Sequence, residues 1–122
     1  MENKKFESHQ DLVVWQMSHE LARQVFVLGR KLRKDEGKHL AQLLRAAAAQ
    51  IPVNIALGFK KRGKEAKVHY YSNALASLEE ITYYLQLGAE LGHLKSLGET
   101  PELIDNLEKK MKGLLRSFAG PR

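Results

Sequence analysis

Five of the eight residues from Lys60 to Lys67 are basic: Lys60, Lys61, Arg62, Lys64 and Lys67. Their chemistry is phosphate neutralisation. Lysine and arginine displace the counterions condensed on a nucleic acid, which needs charge density more than fixed geometry. A solvated turn that keeps a protein soluble has the same composition, so the charge run alone supports two readings. The chain of 122 residues carries a net charge of +6. Residues 1–67 hold 14 Lys/Arg against 7 Asp/Glu, whereas residues 68–122 hold 6 against 7. That asymmetry predicts one electropositive surface and anionic partners.

Two polar residues stand on an otherwise apolar stretch. Arg45 either reaches a phosphate or is a surface arginine whose stem covers apolar neighbours. Asn54 is either a binding residue or, the favoured reading, a buried residue that fixes helix register, its amide using a carbonyl that Pro52 leaves free. Other chemistries are poorly represented. The chain has no cysteine, which excludes disulfides and thiolate metal sites. His9, His19, His39, His69 and His93 form no recognisable ligand pair. Glu79 and Glu80 are adjacent, so on a helix they diverge and make no acid/base pair. Neither a glycine-rich phosphate loop nor a serine nucleophile elbow occurs. The expectation is a non-enzymatic protein without metal or cofactor. Tyr70, Tyr71, Tyr83 and Tyr84 can stack on bases, but their helical spacing suits packing.

These residues must be positioned by helices. Apolar residues recur at helical spacing almost throughout, with no convincing period-2 strand. The first helix is predicted over Asp11 to Lys34, along Val14, Leu21, Val25, Leu28 and Leu32, with Ser18 filling a polar step and Gly37 as the stop. The second is predicted over Lys38 to Lys61, along Leu40, Leu44, Ala47, Ile51 and Ile55. Ala46 to Ala49 allow close helix approach. Pro52 lacks the N–H for the carbonyl of Ala48, so a bend is expected there. Gly58 and Gly63 bracket the end.

The third helix, from Lys64 to about Leu94, is apolar on two sides. One stripe is Val68, Tyr71, Leu75, Leu78, Leu85 and Ala89; the other is Tyr70, Ala74, Ile81, Tyr84, Gly88 and Leu91. A second stripe suggests a second partner, and self-association through Tyr70, Ala74, Ile81, Tyr84 and Leu91 is the simplest one. The other reading has the tyrosines covering the bundle's edge with their hydroxyls in water. The fourth helix opens with Thr100 as N-cap candidate and Pro101 at its first position. Ile104, Leu107, Met111, Leu114 and Phe118 follow.

Four helices with short connections predict a single all-α domain over 1–122, an antiparallel up-down-up-down four-helix bundle. In that topology the second-to-third turn shares an end with both termini, which gathers Lys4, Lys5, Arg116 and Arg122 near Lys60 to Lys67. A second basic group, Arg30, Lys31, Arg33, Lys34 and Lys38, falls at the opposite end beside Asp35 and Glu36. The N-terminal MENKKFESHQ lacks the apolar core of a signal peptide. No apolar run approaches the roughly 20 residues of a membrane span. A cytoplasmic protein without a membrane partner is expected.

The stretch RAAAAQIPVNIALG, Arg45 to Gly58, resembles the R-A-A-x-S-I-P-x-N-I-A-E-G hallmark of the 23S rRNA intervening-sequence protein family. Leu12, Val14 and Trp15 answer to its L-x-V-W segment. Ala74, Ala76, Ser77, Leu78 and Glu80 answer to its A-x-G-S-L-x-E-L pattern. The resemblance covers about residues 6 to 94. Gln50, Leu57 and Ala76 depart from the usual Ser, Glu and Gly. The chain is also similar to the related accessory variability protein of diversity-generating retroelements. That likeness implies a homopentamer that binds nucleic acid and a reverse transcriptase. The sequence thus points to a basic oligomeric bundle that binds RNA or DNA through Lys60, Lys61, Arg62, Lys64 and Lys67, helped by Arg45, Lys4, Lys5 and Arg116. The alternative is a structural or protein-binding scaffold that binds no nucleic acid.

Overall fold

The computed structural model describes residues 7–119. A short 3-10 turn, His9–Asp11, precedes four helices: α1 (Val13–Gly29), α2 (Asp35–Lys60), α3 (Lys64–Glu90) and α4 (Thr100–Ser117). No strand occurs among the described residues. Each helix packs on its two neighbours in sequence order, and α4 returns to α1. The diagonal pairs α1–α3 and α2–α4 do not pack together. The fold is therefore the predicted up-down-up-down bundle.

The core is the set of stripes read from the sequence. Leu21, Val25, Leu44, Ile51, Ile55, Ile81 and Leu107 are fully buried, and Leu78 and Met111 nearly so. Ser18 is buried without cost because its hydroxyl donates to the carbonyl of Trp15 at 2.8 Å. α2 runs unbroken through Pro52. Asn54 is buried, but its Nδ2 donates to the carbonyl of Gln50 at 2.8 Å, not to a carbonyl released by Pro52. A side chain reaching back one turn finds the nearer acceptor.

Several boundaries differ from the sequence expectation, and α3 stops at Glu90, short of Leu94. α1 ends at Gly29 because Arg30, Lys31 and Leu32 turn their N–H groups to carbonyls three residues back. Gly37 does not stop a helix. It lies buried in the first turn of α2 against Leu32, and α2 begins earlier, with Asp35 and Glu36 suiting the positive end of its dipole. Thr100 is not an N-cap. It is buried and its hydroxyl donates to Gln24 Oε1 at 2.8 Å, tying α4 to α1.

The two apolar sides of α3 face α2 and α4. Ala74 and Ile81 are fully buried within the single chain, so they cannot be interface residues. A helix in a four-membered ring has two neighbours and needs two stripes. Tyr70 and Tyr84 are half-buried at the edge, and Leu91 is exposed. α2 is the apolar outlier. It is long and apolar enough to cross a membrane by length and composition alone, and 44% of its most apolar stretch is buried. Its inner side fills the bundle core, while Ala46, Val53 and Leu57 remain exposed.

Candidate nucleic-acid interface

The α2–α3 connection is the tightest turn of the bundle. Lys61 N–H donates to the carbonyl of Gly58, and Gly63, at φ +90°, turns the chain into α3. A side chain there would be strained. Gly58 serves a different purpose. A methyl group on it would come 2.7 Å from Tyr71 Cε1, so glycine lets the Tyr71 ring lie on the backbone of α2. Burial raises the pKa of the Tyr71 phenol above its ordinary value.

Around this turn Lys60, Lys61, Arg62 and Lys64 are all exposed. None of them belongs to an ion pair among the described residues. Lys61 Nζ stands 5.3 Å from the centre of the Tyr70 ring, a geometry that attracts the cation to the ring face. Lys64 lines a groove with Leu115 and Phe118, and the Phe118 ring lies 6.0 Å from that of Tyr71. The last turn of α4, with exposed Arg116, therefore shares this end. Lys4, Lys5 and Arg122 lie outside the described residues.

Lys67 does not join the group. Its ammonium donates to the carbonyls of Gly58 at 3.0 Å and Phe59 at 2.9 Å, and it stands over the Phe59 ring. These carbonyls lie at the negative end of α2, where a cation is favoured. Lys67 closes the helix end and is not free for phosphate.

The family model of the 23S rRNA-intervening sequence proteins matches residues 10–116. The chain belongs to that family. The match begins in the 3-10 turn and runs into the last turn of α4, so it takes in the whole bundle. No curated protein matches the chain.

In this intervening-sequence protein, Arg45 is also occupied. Its Nη2 donates to the carbonyl of Phe26 at 2.9 Å, and its guanidinium carbon stands 5.3 Å from the centre of the Phe26 ring. Phe26 lies in the last turn of α1, where the carbonyls have no helical partner. Gly29 makes room, since a methyl there would meet the guanidinium at 2.7 Å. Arg45 thus joins α1 to α2, about 22 Å along the helix from Lys60, and does not contribute to the basic turn. Its Nε is buried without a partner, a cost accepted for the close helix contact.

The sequence reading missed these two closures and one more. His93 Nε2 lies 2.6 Å from Glu36 Oε1, joining the α3–α4 connection to the start of α2. No periodic signal marks such pairs, because the partners are 9, 19 and 57 positions apart. Among the described residues, no group of three or more His, Asp or Glu side chains could hold a metal ion.

Proposed function

We propose that this protein is a non-enzymatic, self-associating helical bundle that binds nucleic acid through phosphate contacts at the α2–α3 turn. The observation that carries this reading is the set of four exposed cations Lys60, Lys61, Arg62 and Lys64, none in an ion pair among the described residues. The family's link to an rRNA intervening sequence supports RNA as one ligand. The cluster offers no base-edge readout by itself, so sequence dependence should be weak. Arg116 supplements the field at the same end, and Lys4 and Lys5 are proposed to do so.

Fluorescence anisotropy with labelled RNA and DNA oligonucleotides at several salt concentrations tests this. Affinity should fall with salt by a log–log slope of about 0.9 per phosphate neutralised on a duplex. Joint reversal, K60E/K61E/R62E, should weaken binding to every sequence and flatten the slope. If the triple variant binds as tightly as the parent, the turn is a solvated charge run. Negligible binding by the parent at physiological salt would favour the scaffold alternative.

Self-association has its own support. The exposed Ala46, Val53 and Leu57 lie on the outer side of α2, where Gln42 and Gln50 interrupt them, an apolar patch suited to a contact. A second copy is the proposed cover, replacing the α3 stripe as the centre of the interface. The count of five and the partnership with a reverse transcriptase rest on the resemblance, and the proposed cytoplasmic location rests on the sequence composition. A gene placed within an rRNA operon, or beside a reverse-transcriptase gene, would decide between the two settings.

A further inference from the structure

The opposite end of the bundle holds a second group of cations, and there they line a pocket. α3 ends in a Schellman closure. Gly92, at φ +80°, donates to the carbonyl of Ala89 at 3.1 Å, and His93 N–H donates to that of Gly88 at 2.9 Å. Leu94 follows and is buried. The backbone around His93 is therefore fixed from both sides. Its Nε2 is held by Glu36 at 2.6 Å, which leaves Nδ1 as the ring nitrogen without a partner among the described residues.

His93, Leu94, Lys95, Ser96 and Lys31 line a pocket of about 370 Å³ between the α1–α2 and α3–α4 connections. Lys31 and Lys95 are exposed and in no ion pair among the described residues. The N–H groups of Lys95 and Ser96 donate to no protein group among the described residues. Ser96 Oγ accepts from Gly98 N–H at 3.4 Å, so its own hydrogen is free to donate. Arg30, Arg33, Lys34 and Lys38 belong to the same end of the bundle. Its acidic residues include Asp35, Glu36, Glu90 and Glu99: Glu36 is engaged by His93 and Glu90 accepts from Gln86, while Asp35 and Glu99 are exposed and in no ion pair among the described residues.

We propose that this pocket binds a phosphate group. Lys31 and Lys95 supply the charge, and the Ser96 hydroxyl supplies a directed hydrogen bond; His93, whose Nε2–H is given to Glu36, forms part of the wall. Two sources share that chemistry: free phosphate, and the terminal phosphate of a nucleic-acid strand. The site stands apart from the α2–α3 turn, at the other end of a helix about 39 Å long, and does not depend on binding there.

The test is NMR on the full chain, titrated with inorganic phosphate at constant ionic strength set by chloride. The His93 ring signal and the amide signals of Lys95 and Ser96 should shift saturably. K31A/K95A should raise the apparent Kd about tenfold or more, with the remaining amide spectrum unchanged. K60E/K61E/R62E should leave this titration as in the parent, which separates the pocket from the turn. Absent or non-saturating shifts, or shifts undiminished in K31A/K95A, overturn the proposal. A 5′-phosphorylated ribotrinucleotide that binds more tightly than both its 5′-hydroxyl counterpart and inorganic phosphate assigns the site to a strand end. Tighter binding of inorganic phosphate assigns it to the free ion.

Discussion

Lys67 Nζ lies 3.0 Å from the carbonyl oxygen of Gly58, so a lysine from the first turn of α3 closes the last turn of α2. Its second bond, to Phe59 at 2.9 Å, makes the closure bidentate. Replacing Lys67 with Met should keep the apolar stem and lose both bonds. The expected cost is about 1.5–3 kcal/mol in urea unfolding, in the range for hydrogen bonds to a charged group. Oligonucleotide affinity should change less than in any single reversal among Lys60, Lys61 and Arg62. A stable K67M protein with lost binding would return Lys67 to the phosphate-contacting set.

Gly58→Ala should invert the usual helix rule. Alanine in a helix interior normally stabilises by about 1 kcal/mol over glycine. Here the added methyl would meet Tyr71 Cε1 at 2.7 Å, an overpacked contact of the kind that costs about 1–3 kcal/mol. Pairing it with Tyr71→Leu should recover part of the loss. Simple additivity of the two changes in denaturant melts would show that the ring is not what the methyl meets.

Arg45→Ala should lower stability, because it removes the bond to the Phe26 carbonyl and the contact with the Phe26 ring. Gly29→Ala should do the same by crowding the guanidinium, and the double variant should be less unstable than the sum. The salt slope of nucleic-acid binding should stay at the parental value in R45A. A reduced slope would show that Arg45 meets phosphate.

The buried Tyr71 phenol sets a pH limit. Its pKa is raised above its ordinary value, because burial disfavours the charged phenolate. The stability this contributes is present below the unfolded value and is lost as pH rises through the higher folded one. Ultraviolet titration should show one of the four tyrosines ionising after the others. Tyr71→Phe should remove that late component.

Charge placed on the outer face of α2 should dissociate the assembly. Val53→Glu and Leu57→Glu alter exposed positions, so the helical signal should persist while light scattering falls toward the monomer mass of 13.9 kDa. Tyr84→Glu, at the half-buried edge of α3, should act more weakly. A parent that is itself monomeric at micromolar concentration would refute self-association.

The sequence alone located α2 and α3 and most of their buried positions, but not all their ends: α2 starts at Asp35, before Lys38, and α3 stops at Glu90, short of Leu94. Lys64 starts α3 as expected, because amphipathic spacing and the glycine of the turn act over a few residues. The exposed run Lys60 to Lys64 was equally legible, since a turn between two long helices has nowhere else to go. Tertiary structure decided how the long cations are used. Lys67 and Arg45 look like free charges in sequence, yet each finds a carbonyl at the end of a neighbouring helix. Helix ends leave such groups unpaired, and only the packed arrangement shows which cation reaches them. The same holds for the two stripes of α3, since a stripe states that a side chain will be buried, not against what. Ala74 and Ile81 meet their own chain because the four-helix ring places a neighbour on each side of α3, a fact carried by no local period.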